Sequence, residues 1–187
     1  YTTNTMDRSA LIAAFQQRDF EKAEPIAAQI VEDAIQKHGK DSTEYWNAQL
    51  EYIEVLKNLK RDTKALQAYI DIKALTVKLY GRNHQNLGLI YNNIAMLYYH
   101  TFQHAKTIPY FEGALRIFRL HKPENSREVQ MTIGNINVNK QLSVFDTQHD
   151  ALEDKKKIIK LDMARGGESK KPEDVTNIVD DGVVILD

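Results

Sequence analysis

Gly39-Lys40-Asp41-Ser42 and Gly81-Arg82-Asn83-His84 stand 42 residues apart, and Ala23-Glu24-Pro25-Ile26 returns as Thr107-Ile108-Pro109-Tyr110 after twice that interval. A fixed period of this length is the mark of stacked helical hairpins. One hairpin cannot bury its apolar face alone, so neighbours stack and share a continuous core. The period is written three times and blurred a fourth, which predicts an all-α chain, a solenoid of about four hairpins.

Apolar residues recur at i, i+3, i+4 and i+7 in both halves of each unit, so each unit reads as two amphipathic helices joined by a short polar turn. The predicted pairs are 7–17 with 21–37, 42–59 with 63–80, 85–100 with 105–120, and 126–144 with 148–164. These make repeats at 6–38, 42–80, 84–121 and 126–164, within an array spanning 1–165. Gly39 and Gly81 suit the left-handed conformation that ends a helix, and Pro123 in the equivalent slot cannot continue one. Pro25 and Pro109 are expected in a first helical turn. Asp41-Ser42, Asn83-His84 and Asn125-Ser126 are expected to cap the helices that follow.

The composition fits this architecture. With 187 residues, 42% of them hydrophobic, the chain can bury a continuous core, and 8 glycines and 4 prolines are too few for a sandwich or a disordered polymer. The balance of 25 basic and 26 acidic residues leaves no bulk field to draw nucleic acid or a membrane surface. The absence of cysteine excludes disulfides, thiol catalysis and thiolate metal sites, and fits a reducing, cytoplasmic compartment. No apolar run approaches the roughly 20 residues of a membrane span. The chain opens Tyr1-Thr2-Thr3 without an initiator methionine, so it is expected to be an excised piece or a mature form.

The third repeat carries the clearest family signature. Gly81-Arg82-Asn83-His84-Gln85-Asn86, then Ile90-Tyr91-Asn92-Asn93-Ile94-Ala95-Met96-Leu97-Tyr98, then Gly113-Ala114-Leu115-Arg116-Ile117 resembles the 42-residue tetratricopeptide repeat of the kinesin light chain family. In repeats one and two Ala23, Ala65, Ile30 and Ile72 hold the small and apolar slots, but Leu50-Glu51 replaces the paired asparagines. Repeat four keeps Ile133-Gly134-Asn135-Ile136 and then drifts. The resemblance covers about residues 7–164. It implies a right-handed solenoid whose first helices line a concave face where ligands lie.

Superposing the repeats separates interior from groove. First-helix interior slots hold Ala10, Leu11, Ala14; Tyr52, Ile53, Leu56; Ile94, Ala95, Tyr98; and Ile136, Asn137, Lys140. Second-helix interior slots hold Ala23, Ala27, Ile30, Val31; Ala65, Tyr69, Ile72; and Thr107, Phe111, Ala114, Leu115. A two-residue insertion before Ala151 brings Ile158 and Ile159 into line and leaves Lys155-Lys156-Lys157 partly solvated, as a terminal cap requires.

Carried over by slot, the groove contains Phe15, Leu50, Lys57, Asn58, Asn92, Met96, Tyr99, His100, Val138 and Leu142, with Arg8, Ile12, Asn47, Glu54, Leu89, Met131 and Gln141 beside them. Each alone reads as an ordinary surface residue of a solenoid. Together the apolar members make a stripe for a partner peptide, whose backbone Asn58 and Asn92 would hold through their amides. A clamp for a terminal carboxylate is disfavoured: Arg8 and Lys57 are the basic groove residues, and Glu54 opposes them.

From Gly166 the composition shifts to Gly, Ser, Lys, Pro and acids, and the chain ends Asp180-Asp181-Gly182-Val183-Val184-Ile185-Leu186-Asp187. Gly166-Gly167 and Pro172 break any helix, so 166–187 reads as a flexible acidic tail with a short strand-like motif. Asp180, Asp181, Val183, Val184, Ile185 and Leu186 resemble a SUMO-interacting motif, suited to a sheet-edge partner. Packing of that segment on the array, or ordering in an assembly, is the alternative.

Catalysis and cofactors are not expected. His100 and His104 are four apart, as in a zinc pair, but no glutamate falls in HExxH spacing, and a packed or turn histidine is the simpler reading of His104. The other histidines, His38, His84, His121 and His149, lie near helix ends. There is no Gly-rich phosphate loop, nucleophile elbow or paired-carboxylate motif, and Lys155-Lys156-Lys157 is too short to argue nucleic acid. The expectation is a non-enzymatic adaptor or scaffold for a protein partner. A regulatory or targeting domain of a larger enzyme, or a scaffold that assembles through its tail, stands as the alternative.

Overall fold

The computed structural model describes residues 3–163. Helices occupy Thr3–Gln16 (α1), Phe20–His38 (α2), Thr43–Asn58 (α3), Asp62–Tyr80 (α4), Gln85–His100 (α5), His104–His121 (α6) and Arg127–Met163 (α7), and the described residues contain no strand. Principal contacts run between consecutive helices, the one-dimensional packing of a solenoid. The helices form two rows. Arg8 on α1 reaches Glu51 on α3 at 2.6 Å, while Lys73 on α4 donates to the Tyr110 hydroxyl on α6 at 3.1 Å.

The backbone repeats as strictly as the sequence. Arg18, Lys60 and Phe102 adopt left-handed φ values of 54°, 57° and 58°, one at each hairpin turn, and Gly39 and Gly81 adopt 80° and 91° between hairpins. Local capping follows the sequence in part. Ser42 accepts from the Tyr45 amide at 3.2 Å and His84 from the Asn86 amide at 3.1 Å, while Asp19, not foreseen, caps α2 through Lys22 at 3.1 Å. Asp41 instead pairs with Lys78, and the Ser126 hydroxyl is buried with no hydrogen-bond partner among the described residues. Pro25 and Pro109 stand at the sixth residue of α2 and α6, not in the first turn. Each therefore removes an i to i−4 bond within its helix.

The interior is the one that the repeat alignment describes through Tyr98. Leu11, Ala14, Ile53, Leu56, Ile94, Ala95 and Tyr98 are buried, as are Ala23, Ala27, Ile30, Ala65, Tyr69, Ile72, Thr107, Phe111 and Ala114. Ala10, Tyr52, Val31 and Leu115 are half-buried. Tyr91 and Tyr98 pack their rings on Tyr110, with centroids 5.8 and 5.9 Å away. Trp46 donates to the Thr76 hydroxyl at 2.8 Å, tying α3 to α4.

The fourth repeat departs from expectation. Helices 126–144 and 148–164 were to form a hairpin, but α7 runs unbroken for 37 residues. The turn slot one period beyond Phe102 is Val144, whose branched Cβ makes left-handed backbone costly. No glycine or proline lies between Gly134 and Gly166 to break the helix another way. With no returning helix, Asn137 and Lys140, expected in the interior, are exposed while Ile136 is buried. A trough of about 610 Å³ remains between α6 and α7, with Leu115 and Ile133 on its walls.

Candidate functional site

The groove residues fall on the row of α1, α3, α5 and the start of α7, because the slots that point away from the even-numbered helices recur with the period. At its first end, α1 and α3 enclose an open pocket of about 470 Å³ lined by Leu11, Ile12, Phe15, Gln16, Leu50, Glu51 and Glu54. Phe15 is fixed edge-on against Phe20, ring centroids 5.6 Å apart. Leu50 is half-buried against the core, and Ile12 is 57% exposed.

The pocket has a polar edge. One Glu51 carboxylate oxygen takes the Arg8 bond at 2.6 Å, and the other is buried with no hydrogen-bond partner among the described residues. Lys57 turns to Glu54 at 3.6 Å. Asn58 donates to the Glu54 carbonyl at 2.8 Å, so its amide serves its own helix and is not held out for a ligand. Behind this wall, burial first and the Glu54 charge second push the Tyr69 hydroxyl well above its usual pKa.

Farther along, Asn92 and Met96 are half-buried, and Tyr99 is 38% exposed. The Tyr99 ring meets His104 edge-on at 5.4 Å. His104 is buried and shares a 3.1 Å hydrogen bond with Asn139 on α7, which makes it an interhelical tie. His100 lies 4.0 Å from Asp62. No group of three or more histidines or acids is placed to hold a metal among the described residues. Val138 is exposed and Leu142 half-buried on α7. Phe15 and Leu50 therefore share one pocket, whereas Met96, Tyr99, Val138 and Leu142 extend the same row without an enclosed cavity. The tail residues Asp180, Asp181, Val183, Val184, Ile185 and Leu186 lie outside the described residues.

Leu11, Gln16 and Glu51 line the pocket but were not foreseen as site residues. A signal for Glu51 was present: Leu50-Glu51 stands where repeat three has Asn92-Asn93. That departure from the pattern coincides with the pocket.

Residues 88–120 match the tetratricopeptide repeat family model. They span α5 and α6, so the third hairpin is a tetratricopeptide repeat, of the kinesin light chain type its sequence resembles. Among solved structures, BtubC (BKLC) from P. vanneervenii is similar with a TM-score of 0.63 and 16% identity over 91% of this chain and 67% of that one, a likeness of fold. No curated protein sequence matches the chain. No described helix is long and apolar enough to cross a membrane.

Proposed function

We propose that this chain is a non-enzymatic adaptor that holds an extended or helical segment of a partner protein along the α1–α3–α5 row. Tetratricopeptide repeats generally mediate protein–protein interaction and are generally non-catalytic. The observation that carries the reading is the α1–α3 pocket, with Ile12, Phe15 and Leu50 beside a buried and unpaired Glu51 oxygen. An apolar pocket with one unmet acceptor takes an apolar side chain and a neighbouring donor or cation. Asn92, half-buried on the same row, carries an amide that can donate to and accept from a peptide backbone. A cytoplasmic setting accords with the cysteine-free sequence.

Panning a random peptide library on the full chain tests this. The expected winners carry an apolar anchor with an adjacent basic residue, protect α1, α3 and α5 in hydrogen exchange, and lose affinity to Leu50→Asp or Tyr99→Ala. Selected peptides whose footprint avoids this row would overturn the proposal.

A further inference from the structure

Arg8 and Glu51 carry charge where the third repeat is neutral. Two periods after Arg8 comes Asn92, and one period after Glu51 comes Asn93. The α1–α3 junction therefore puts an arginine and a glutamate into the slots of the paired asparagines. The two side chains bridge the helices, Arg8 Nη1 to Glu51 Oε1 at 2.6 Å, while remaining 45% and 35% exposed. An ion pair this open to water adds little to stability, so the fold does not depend on keeping it. The second Glu51 oxygen differs, because it is buried with no hydrogen-bond partner among the described residues. A buried carboxylate oxygen without a donor is costly until one reaches it, and the bond from Arg8 to Oε1 leaves that need unmet.

Arg8 also has a second place to go. It lines a smaller cavity of about 120 Å³ between α1, α2 and α3, whose acids are Asp33 and Glu44 and whose other cations are Lys37 and His38. Asp33 there accepts from the neutral Gln29 amide at 2.9 Å. The cavity has room for several waters, and so for a guanidinium in their place. Glu51, in contrast, lines the larger apolar pocket of about 470 Å³. Arg8 thus stands between two cavities, bonded to the acid of one and forming part of the wall of the other.

We infer that Glu51 selects an arginine beside the apolar anchor of the partner peptide, and that Arg8 is the resident cation which this arginine displaces. The incoming side chain lays its aliphatic stem against Phe15 and Leu50 and keeps its charged head at the pocket edge. Its planar fork can then meet both oxygens of Glu51, where the Arg8 bond meets one. Arg8 moves towards Asp33 and Glu44, so neither guanidinium is left without an acid. A neutral peptide cannot replace the charge it would have to expel, and the resident arginine therefore acts as a filter against it. The filter rests on the adaptor reading, since it governs the same pocket.

Two dipeptides separate charge from shape: acetyl-Leu-Arg-amide, and its analogue with neutral citrulline in place of the arginine. Each is titrated into the full chain and followed by NMR at the Ile12 and Leu50 methyls and at the Arg8 Nε–H. The arginine dipeptide is expected to bind about fivefold or more tighter than the citrulline one, and to shift the Arg8 signal as the bond to Glu51 breaks. Arg8→Gln should tighten the arginine dipeptide by about threefold or more and leave the citrulline one unchanged, a gain that loss of a merely structural pair would not give. Glu51→Gln should erase the preference for arginine, and the melting temperatures of both variants should stay near that of the native chain. Equal or weaker binding of the arginine dipeptide to Arg8→Gln, no preference for it in the native chain, or no response at Ile12 and Leu50 to either dipeptide overturns the inference. The adaptor reading is judged apart, by whether library-selected peptides protect the α1–α3–α5 row.

Discussion

The α5–α6 hairpin and α7 are the same piece of the repeat, one period apart, and they fold differently. Phe102 accepts left-handed backbone and the chain turns, while Val144 in the same slot does not and the helix runs on. After the turn, α6 buries Tyr91, Ile94, Ala95 and Tyr98. Without it, of the corresponding α7 positions Ile136 stays buried and Ile133 half-buried, while Asn137 and Lys140 stay in solvent. The sequence has adjusted to each outcome, with aromatic and small residues in the first and polar ones in the second. The contrast teaches that the two regions part at one turn slot, and that the outer slots, Asn137 and Lys140, lose their cover where the helix does not turn.

The largest expected effect compares two phenylalanines. Phe111 is fully buried on α6 and Phe145 is 58% exposed on α7. Phe111→Ala should destabilise by about 3–5 kcal/mol, because transfer and cavity terms add, whereas Phe145→Ala should stay within about 0.5 kcal/mol. Denaturant midpoints measured at high dilution check both. Comparable losses would mean that the distal part of α7 is packed as tightly as the hairpin.

Two glycines sharpen the comparison. A Cβ on Gly88 would meet Ile117 Cγ2 and Phe118 Cε1, both at 3.0 Å, while one on Gly134 meets nothing within 4 Å. Gly88→Ala is therefore expected to cost about 1–3 kcal/mol by overpacking α5 against α6. Gly134→Ala should gain up to about 1 kcal/mol from helix propensity alone. Opposite signs in thermal melts are the check.

How much of this was legible beforehand varies along the chain for physical reasons. The bounds of α5 are those the sequence predicts, and α2, α3, α4 and α6 differ by a residue at one or both ends, because breakers and apolar slots agree there. Repeat four was misread as a hairpin because the apolar slots after Val144 still keep approximate step. The distinguishing feature is a β-branched valine in the slot where Arg18, Lys60 and Phe102 adopt positive φ. The resemblance to tetratricopeptide arrays put Phe15 and Leu50 on one face, and they line one pocket. The engagement of the Asn58 donors was not legible, since a helical asparagine bonding its own i−4 carbonyl looks in sequence like one that is free.

The turn itself can be tested with one substitution at two places. Phe102 is 72% exposed and sits at φ 58°, so Phe102→Gly should remove left-handed strain and stabilise by about 1 kcal/mol. Val144→Gly, inside a helix, should destabilise by a similar amount of about 1 kcal/mol and lower the helical signal in circular dichroism. If Val144→Gly instead keeps its helicity and covers the trough, the hinge is confirmed as one residue wide.

The smallest effect lies at the junction between the two regions, where the chain passes Pro123. Arg119 hydrogen-bonds Glu124 at 2.6 and 2.9 Å, and Lys122 bonds Glu128 at 2.8 Å. The hydrogen bond from Arg119 holds the Glu124 carboxyl below its ordinary value of 4.5; desolvation opposes it, and the guanidinium charge adds a smaller push in the same downward direction. The Lys122 bond lowers Glu128 in the same way. A carboxyl whose folded pKa is depressed stabilises the fold above the unfolded value, and loses that contribution as pH falls from there through the lowered folded value. These groups are exposed, so the change in stability should be slight, and the sensitive readout is the titration itself. Carbon NMR of Glu124 should show a midpoint below the ordinary carboxyl value that returns towards it in Arg119→Gln, while the φ-dependent turn shifts around Phe102 stay constant. A midpoint unmoved by Arg119→Gln would place the cause of the shift elsewhere in the junction. Movement at Phe102 would mean that the two regions are coupled beyond their nearest-neighbour contact.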